Sequence, residues 1–240
     1  MNKYFQRLES LKNAVIVSTQ AADNEPLNKP EHLLALALSG INGGAKGLRL
    51  EGIANIKLIR QHTELPIVGL LKNDAIPESD RLHSVYITST FAEAKMISEA
   101  GADIIALDAT SRSRPDGLTL KETIARIHGE LDKPVWADVA SFEEGLAAAE
   151  FGADVVSTTL YGYTKETQLE SEAPPSFEFL EQLCKNLKKH VVLEGRVWHP
   201  EEVTKAFKLG AFAVVVGSAI TRPQLITKRF VKSIPASSQV

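Results

Sequence analysis

The feature that most constrains the fold is a repeated unit, in which a helical pattern ends at a glycine and a short apolar run follows it. Three copies begin at Glu99, Glu150 and Lys208, and each continues through glycine and alanine into a run rich in β-branched residues. A short apolar run bounded by turn residues is typical of a buried parallel strand. Strands that alternate with helices over short loops predict a parallel sheet with right-handed crossovers.

Eight such apolar runs recur along the chain, at residues 14–19, 46–50, 67–71, 103–107, 134–138, 154–158, 191–194 and 212–216. A ninth candidate, at 84–88, is either a short extra strand or the approach to the next helix. Eight βα units in 240 residues predict an α/β fold, a single (β/α)8 TIM barrel of the phosphate-binding type. It occupies residues 1–240 with a frayed tail at 235–240. The alternative is an open doubly wound sheet, which usually has a glycine-rich turn after its first strand, whereas residues 19–24 contain no glycine.

The predicted helices have clear start and stop signals. Three of them begin with a capping box, in which a hydroxyl and a carboxylate three residues later satisfy free backbone donors: Thr90 with Glu93, Thr119 with Glu122, and Ser141 with Glu144. Glycines mark the expected ends of three helices, at Gly101, Gly152 and Gly210. The long polar loop at 161–176 is expected to act as a lid or a binding loop.

Composition excludes several classes of partner. A net charge of −3 and a pI near 6.1 argue against nucleic acid, because phosphate-backbone binding normally shows as a basic patch. We see no secretory signal and no apolar run of about eighteen residues, so we expect no membrane partner. Cys184 is the single cysteine. It cannot form an internal disulfide, its helical spacing predicts core packing, and the expected compartment is the cytoplasm.

Polar and charged residues follow the predicted strands: Gln20, Arg49, Lys72, Asp108, Asp138, Thr158, Glu194 and Gly217. In a barrel of this type the active site lies at the carboxyl ends of the strands. Convergent charges in one pocket are a strong indication of a functional site. We expect no metal site, because no HExxH or Cys/His cluster supports one.

Lys72 is the candidate for chemistry, either as a general base or as a Schiff-base lysine. A lysine acts as a base near neutral pH only if burial or nearby cations lower its pKa. Arg49 on the adjacent strand would help, whereas Glu194 on the opposite side would stabilise the ammonium. Asp108 and Asp138 are expected to hold other groups in place or to contact sugar hydroxyls.

The segment from Gly217 to Arg222 predicts an anion site. Glycine and serine after the eighth strand, beside Gly195 and Arg196 after the seventh, match the phosphate site that many barrels build from these two loops. Backbone N–H groups at the start of a short helix point at the anion, and an arginine can bind two of its oxygens. The alternative is a plain loop with a surface arginine.

Together these residues resemble the N-acetylmannosamine-6-phosphate 2-epimerase family, from about residue 11 to residue 235. The segments that carry the resemblance are 17–21, 47–52, 69–72, 85–88, 102–110, 114–117, 136–138, 158–164, 193–196 and 216–223. Three departures are visible. Thr19 stands where the family often has cysteine, Leu50 and Glu51 are bulkier and more acidic than usual, and the segment 73–84 is longer.

The resemblance implies a barrel that interconverts N-acetylmannosamine 6-phosphate and N-acetylglucosamine 6-phosphate in sialic acid catabolism, with no cofactor. It implies a phosphorylated amino sugar as ligand, and we expect a homodimer. By resemblance, Lys72 and Glu194 are catalytic. The substrate-contact positions are Gln20, Arg49, Asp138 and Gly195, and those near the phosphate are Arg196, Gly217, Ser218 and Arg222.

The resulting hypothesis is deprotonation and reprotonation at C2 of the open-chain sugar. Lys72 is the principal base, Glu194 transfers a proton or holds Lys72, and Arg49 stabilises the enolate oxygen. Two alternatives remain open from the sequence. One is an aldolase or lyase in which Lys72 forms a Schiff base, and the other is a non-catalytic barrel that binds a sugar phosphate.

Overall fold

The apolar runs form eight parallel strands that close into a barrel, with β8 paired to β1. This is a computed structural model that describes residues 2–22, 24–73, 76–77, 80–170 and 172–235. The predicted (β/α)8 barrel is therefore confirmed, and each strand boundary lies within one residue of its predicted position. The strands are β1 Ala14–Thr19, β2 Gly47–Glu51, β3 Ile67–Leu70, β4 Ile104–Asp108, β5 Val135–Asp138, β6 Val155–Ser157, β7 His190–Glu194 and β8 Ala213–Val216.

The helices lie between the strands, with one before β1 and two after β8. They are α1 Lys3–Glu9, α2 Pro30–Asn42, α3 Ile53–Arg60, α4 Phe91–Glu99, α5 Leu120–Arg126, α6 Phe142–Glu150, α7 Phe177–Asn186, α8 Pro200–Lys208, α9 Ser218–Thr221 and α10 Pro223–Lys232. A π-helical turn extends α5 over Ile127–Leu131. All three predicted capping boxes are present, and the predicted stop glycines have φ values of 99–106°.

Alternate strand residues point to two separate layers of core. One layer fills the barrel and includes Ile16, Val68 and Trp136. The other lies between the barrel and the helices and includes Val17 and Ile67. Side chains alternate between the two faces of a strand. The inward-facing residues at the carboxyl end of each strand therefore lie at the mouth of the barrel.

The segment at 84–88 turns back along the end of β3. Ile87 forms an isolated antiparallel bridge with Lys72, and the N–H of Asn73 donates to the carbonyl of Tyr86 at 2.9 Å. It is thus a single bridge rather than an additional strand. The backbone of Lys72, just after the end of β3, is therefore held in place by this returning segment.

Cys184 packs, partly buried, against the outer core layer, as its spacing predicted. Burial and the charge of Glu181 raise the pKa of the thiol to about 11, so it is a protonated packing group. Among the described residues, no helix is long and apolar enough to cross a membrane. The predicted frayed tail lies outside those residues from 236 onward.

The packing of β3 gives a test of the fold. A Cβ atom added at Gly69 would lie 2.6 Å from side-chain atoms of both Ala102 and Ile97, so Gly69→Ala overpacks the outer layer. We expect urea denaturation to show a loss of about 1–3 kcal/mol. Gly129→Ala is the control, because a Cβ atom there has nothing within 4 Å. Equal effects of the two substitutions would contradict this packing.

Candidate active site

A cavity of about 380 Å³ opens at the carboxyl ends of the strands. It contains nine of the ten site residues predicted from the sequence: Gln20, Arg49, Lys72, Glu194, Gly195, Arg196, Gly217, Ser218 and Arg222. The tenth, Asp138, is fully buried and does not line the cavity, so the structure places it behind the wall. A phosphate site and a base predicted from separate strands thus share one cavity.

The guanidinium of Arg49 forms the centre of this wall. Its Nη2 donates to Oδ2 of Asp138 at 2.6 Å, and its Nε lies 2.9 Å from Oε1 of Glu194. The second contact is an ion pair whose angle is not that of a hydrogen bond. Arg49 is 1% exposed, and removing one partner of such a buried pair is strongly destabilising because it leaves an uncompensated charge.

The expected contact between Glu194 and Lys72 is replaced by the one with Arg49. Among the described residues, no ion pair joins Glu194 directly to Lys72; its side chain pairs with Arg49 instead. Glu194 therefore does not hold Lys72 by a direct ion pair. The fixed guanidinium acts electrostatically on both residues.

Two threonines after β6 fix the position of Glu194. Thr158 Oγ1 donates to the Glu194 carbonyl at 2.9 Å and accepts from its N–H at 3.1 Å, so it ties two loops together through backbone groups. Thr159 Oγ1 lies 2.7 Å from Oδ1 of Asp138 and 3.1 Å from Oε2 of Glu194. The sequence pointed to Thr158, but Thr159 is the one that faces the cavity.

Burial raises the pKa of Glu194 to about 7. The negative charge of Asp138 adds to the rise, and the positive charge of Arg49 opposes it. Burial also raises the pKa of Asp138, against the stabilising effect of Arg49. A carboxyl group that titrates near neutrality can donate or accept a proton at physiological pH.

Lys72 lies near the end of β3 and lines the cavity, with its pKa shifted in the direction that favours a base. Burial lowers the pKa of its ammonium, and the Glu51 carboxylate opposes this shift. Three guanidinium groups reinforce the lowering, those of Arg222, Arg49 and Arg81. The help expected from Arg49 is therefore present, and the principal opposing carboxylate is Glu51, which the sequence flagged only as an unusual residue.

Tyr86 contributes a phenol to the wall beside Lys72. Burial raises its pKa to about 12, with the charges of Asp108 and Asp138 adding to the rise. The group is therefore protonated across the physiological range and can donate a hydrogen bond into the cavity.

The opposite part of the cavity is built by β1 and β8. Gly217 precedes α9, whose first N–H groups have no partner within the helix. Ser18 accepts a hydrogen bond from Nε2 of Gln20 at 2.8 Å. Arg222 Nε lies 3.4 Å from Oε2 of Glu25, and its side chain remains 27% exposed. Backbone donors and a partly exposed guanidinium meet here, which is suitable for an anion.

Arg196 has a different setting from Arg222. Its Nη1 donates to the carbonyl of Glu170 at 2.6 Å and its guanidinium lies 4.7 Å from the centre of the Tyr163 ring. Arg196 therefore links the loop after β6 to the loop after β7. It lines the cavity, but much of its hydrogen-bonding capacity is used by that loop.

Asp108 lies away from the cavity although it ends β4. Its Oδ1 accepts from Thr110 and its Oδ2 pairs with Arg112 at 2.9 Å. It organises the loop after β4, which agrees with the expected positioning role. Among the described residues, no three His, Cys, Asp or Glu side chains are grouped so that they could hold a metal ion.

Sequence reasoning missed Ser18, Tyr86 and Thr159. The signal for Ser18 was present as alternation, because Ile16 points into the barrel and Ser18 follows two residues later on the same strand. Thr159 lies in the turn after β6, outside that alternation. Tyr86 gave no such signal, since its place depends on the returning segment.

The fold and this cavity define a (β/α)8 barrel with charged and anion-binding groups at the carboxyl ends of its strands, the arrangement found in barrel enzymes. Residues 33–236 match a family described as "Putative N-acetylmannosamine-6-phosphate epimerase". The chain belongs to this N-acetylmannosamine-6-phosphate epimerase family.

Individual relatives match over nearly their whole length. Proteins named "Putative N-acetylmannosamine-6-phosphate 2-epimerase" from Clostridioides difficile and Caldanaerobacter subterraneus subsp. tengcongensis are 44% and 42% identical. Each match covers 95% of this chain, and 98% and 93% of the relative. The solved structure of the N-acetylmannosamine-6-phosphate 2-epimerase from Clostridium perfringens matches with a TM-score of 0.87 and 40% identity, over 94% of this chain and 95% of that one.

The raised pKa of Glu194 predicts a pH dependence of stability. In the folded state this carboxyl keeps its proton up to about pH 7, whereas its ordinary value is 4.5. The folded state therefore binds more protons in between, and stability falls as pH rises through that window. Glu194→Gln removes this loss, so we expect its stability relative to wild type to rise by up to about 3 kcal/mol from pH 4.5 to 8.

Urea denaturation at a series of pH values measures the difference. Glu150→Gln, at an exposed position at the end of α6, is the control, for which the difference from wild type is expected to be nearly flat. A flat difference for Glu194→Gln as well would show that Glu194 titrates normally.

Proposed function

We propose that the enzyme interconverts N-acetylmannosamine 6-phosphate and N-acetylglucosamine 6-phosphate by moving a proton at C2, in the catabolism of sialic acid. One observation carries the proposal: the cavity that contains the candidate anion site also contains Lys72, an amine whose pKa is lowered, and Glu194, a carboxyl whose pKa is raised. Membership of the family supports this substrate. The single cysteine and this metabolic role support a cytoplasmic location.

The chemistry uses both groups. The C2 proton of the open-chain sugar is acidic, because the C1 aldehyde delocalises the charge that forms. Neutral Lys72 removes this proton, and the carboxyl of Glu194 returns one on the other face. Arg49 and Tyr86 supply positive charge and a hydrogen-bond donor to the enolate oxygen. The absence of a direct ion pair with Lys72 favours proton transfer over anchoring as the role of Glu194.

The phosphate of the substrate lies at the β8 end of the cavity. Arg222 and the first turn of α9, from Ser218, provide a guanidinium and backbone donors. Gly217 packs closely against β1 there, since a Cβ atom would lie 3.3 Å from Cβ of Ser18. Arg196 lies nearby and contributes indirectly, by holding the loop after β6 in place.

Replacement of the base tests the proposal. We expect Lys72→Met to lower kcat by about 10²–10⁴-fold, the usual range for a general base. Incorporation of deuterium at C2 should fall in parallel when N-acetylmannosamine 6-phosphate is followed by NMR in deuterated water. Lys57→Met, at an exposed position in α3, is the control and should behave as wild type.

Two outcomes would support the alternative functions. Borohydride trapping of a covalent adduct at Lys72 with a sugar phosphate would indicate a Schiff-base aldolase or lyase. Binding of the sugar phosphate without turnover or exchange at C2 would indicate a non-catalytic barrel. Unphosphorylated N-acetylmannosamine should be a poor substrate, because it lacks the group that the β8 end binds.

The assembly that we propose is a homodimer. Helix α10 has no buried residue, and its Phe230 and Val231 are 73% and 52% exposed, with Ile234 beyond it 45% exposed. Adjacent apolar side chains of this kind support an interface. Sedimentation of the wild type should give twice the chain mass, and Phe230→Asp should shift it toward the monomer. A wild-type monomer at micromolar concentration would contradict the proposal.

A further inference from the structure

The hydroxyl of Thr159 is surrounded by three oxygen atoms. Oδ1 of Asp138 lies at 2.7 Å, Oγ of Ser157 at 2.8 Å and Oε2 of Glu194 at 3.1 Å. A threonine hydroxyl has one proton to donate and two lone pairs to accept. It can therefore donate to one of these neighbours and must accept from the other two.

The charges around Thr159 leave room for one extra proton. Arg49 contacts both Asp138 and Glu194, so one buried cation faces two carboxylates. A single proton shared by the pair brings the cluster to neutrality, which a buried site favours. Burial raises the pKa of both carboxyl groups, in the same sense.

Other charges near the pair do not change this count. Lys72 acts on Glu194 from the end of β3, and its own pKa is lowered by burial. Strands β6 and β8, on either side of β7, contain no titratable residue. Next to Asp138, Asp108 is paired with Arg112, and Tyr86 is a phenol whose pKa is raised to about 12.

Two hydrogen-bond arrangements satisfy the donor and both lone pairs of the Thr159 hydroxyl. Ser157 is fully buried and donates to Thr159 in both. In the first, protonated Glu194 donates to Thr159, which donates to ionised Asp138. In the second, Thr159 donates to ionised Glu194, and protonated Asp138 donates to Thr159. The two differ by the shift of one proton from Glu194 to Thr159 and of another from Thr159 to Asp138.

We propose that Thr159 is a positioning residue that relays a proton between Glu194 and Asp138. When a proton passes from Glu194 to Asp138, the O–H bond of Glu194 breaks and a new one forms at Thr159, while the original O–H bond of Thr159 breaks and one forms at Asp138. The reverse transfer breaks and forms the same bonds in the opposite sense. Thr159 begins and ends as a neutral hydroxyl, and the cluster keeps its charge. Asp138, which is fully buried, stores the proton away from solvent.

This inference rests on the proposed function for its consequence. A proton held on Asp138 passes through Thr159 to ionised Glu194, which can then give it to the sugar, and no water molecule is needed for this transfer. The relay also lets the same carboxyl serve both directions of a reversible epimerisation, because it can begin either protonated or ionised.

Thr159→Val is the test, since valine keeps the shape and removes the hydroxyl, and Thr159→Ser is the matched variant that restores it. With N-acetylmannosamine 6-phosphate we expect Thr159→Val to lower kcat by about 10²-fold with KM nearly unchanged. Thr159→Ser should recover most of that loss. A merely structural role would change KM together with kcat, or would leave the loss of kcat unrecovered in Thr159→Ser.

A second measurement does not depend on turnover. Infrared difference spectra of the ligand-free enzyme follow the carboxyl bands with pH, and Glu194→Gln assigns the band of Glu194. Loss of the donor should raise the pH at which Glu194 ionises by about one unit in Thr159→Val, and Thr159→Ser should return it toward wild type. An unchanged ionisation in Thr159→Val overturns the link between the two carboxyl groups.

The two readouts separate the proposals. If the wild type does not epimerise the sugar but the infrared shift occurs, the proposed function fails and the hydrogen-bond link stands. If the wild type epimerises it and Thr159→Val does so at the same rate, the relay is wrong and the proposed function stands.

Discussion

The buried guanidinium of Arg49 is the group on which the mouth of the barrel depends. It contacts Asp138 and Glu194 at once, and its charge also lowers the pKa of Lys72. Because Arg49 comes from β2, Asp138 from β5 and Glu194 from β7, one side chain connects widely separated strands. A buried cation of this kind contributes little net stability by itself, so its presence is better explained by the electrostatics that it imposes on the cavity.

The period of two along each strand explains how much of this site could be predicted. Val68, Trp136 and Val192 point into the barrel, so the next inward positions on their strands are Leu70, Asp138 and Glu194, with Lys72 one step beyond β3. Of the eight residues that follow the predicted strands, five line the cavity, because strand ends and inward positions coincide in those units: Gln20, Arg49, Lys72, Glu194 and Gly217. The closed topology was predicted from the count of eight units, together with the absence of glycine from residues 19–24, where an open doubly wound sheet usually has a glycine-rich turn.

The remaining features depend on local geometry that no periodic pattern encodes. Strand β6 stops at Ser157, and the turn at Thr158–Leu160 carries Thr159 into the cavity while Thr158 caps backbone groups of Glu194. The residue that faces the cavity is therefore Thr159, one position after the predicted strand end at Thr158. Arg196 was assigned to the phosphate, but its guanidinium fits the carbonyl groups of a neighbouring loop, a tertiary contact that sequence spacing does not reveal.

Glu51, one of the residues at which the sequence departs from the family pattern, acts electrostatically on Lys72. Its carboxylate opposes the lowering of the Lys72 pKa, whereas burial and the surrounding guanidinium groups drive it. Burial at the same time raises the pKa of Glu194 to about 7. An amine and a carboxyl whose pKa values move toward each other can be neutral at one pH, one as base and the other as acid. The two positions therefore need burial in one cavity and separate partners, and the pairing of Glu194 with Arg49 rather than with Lys72 supplies the separate partners.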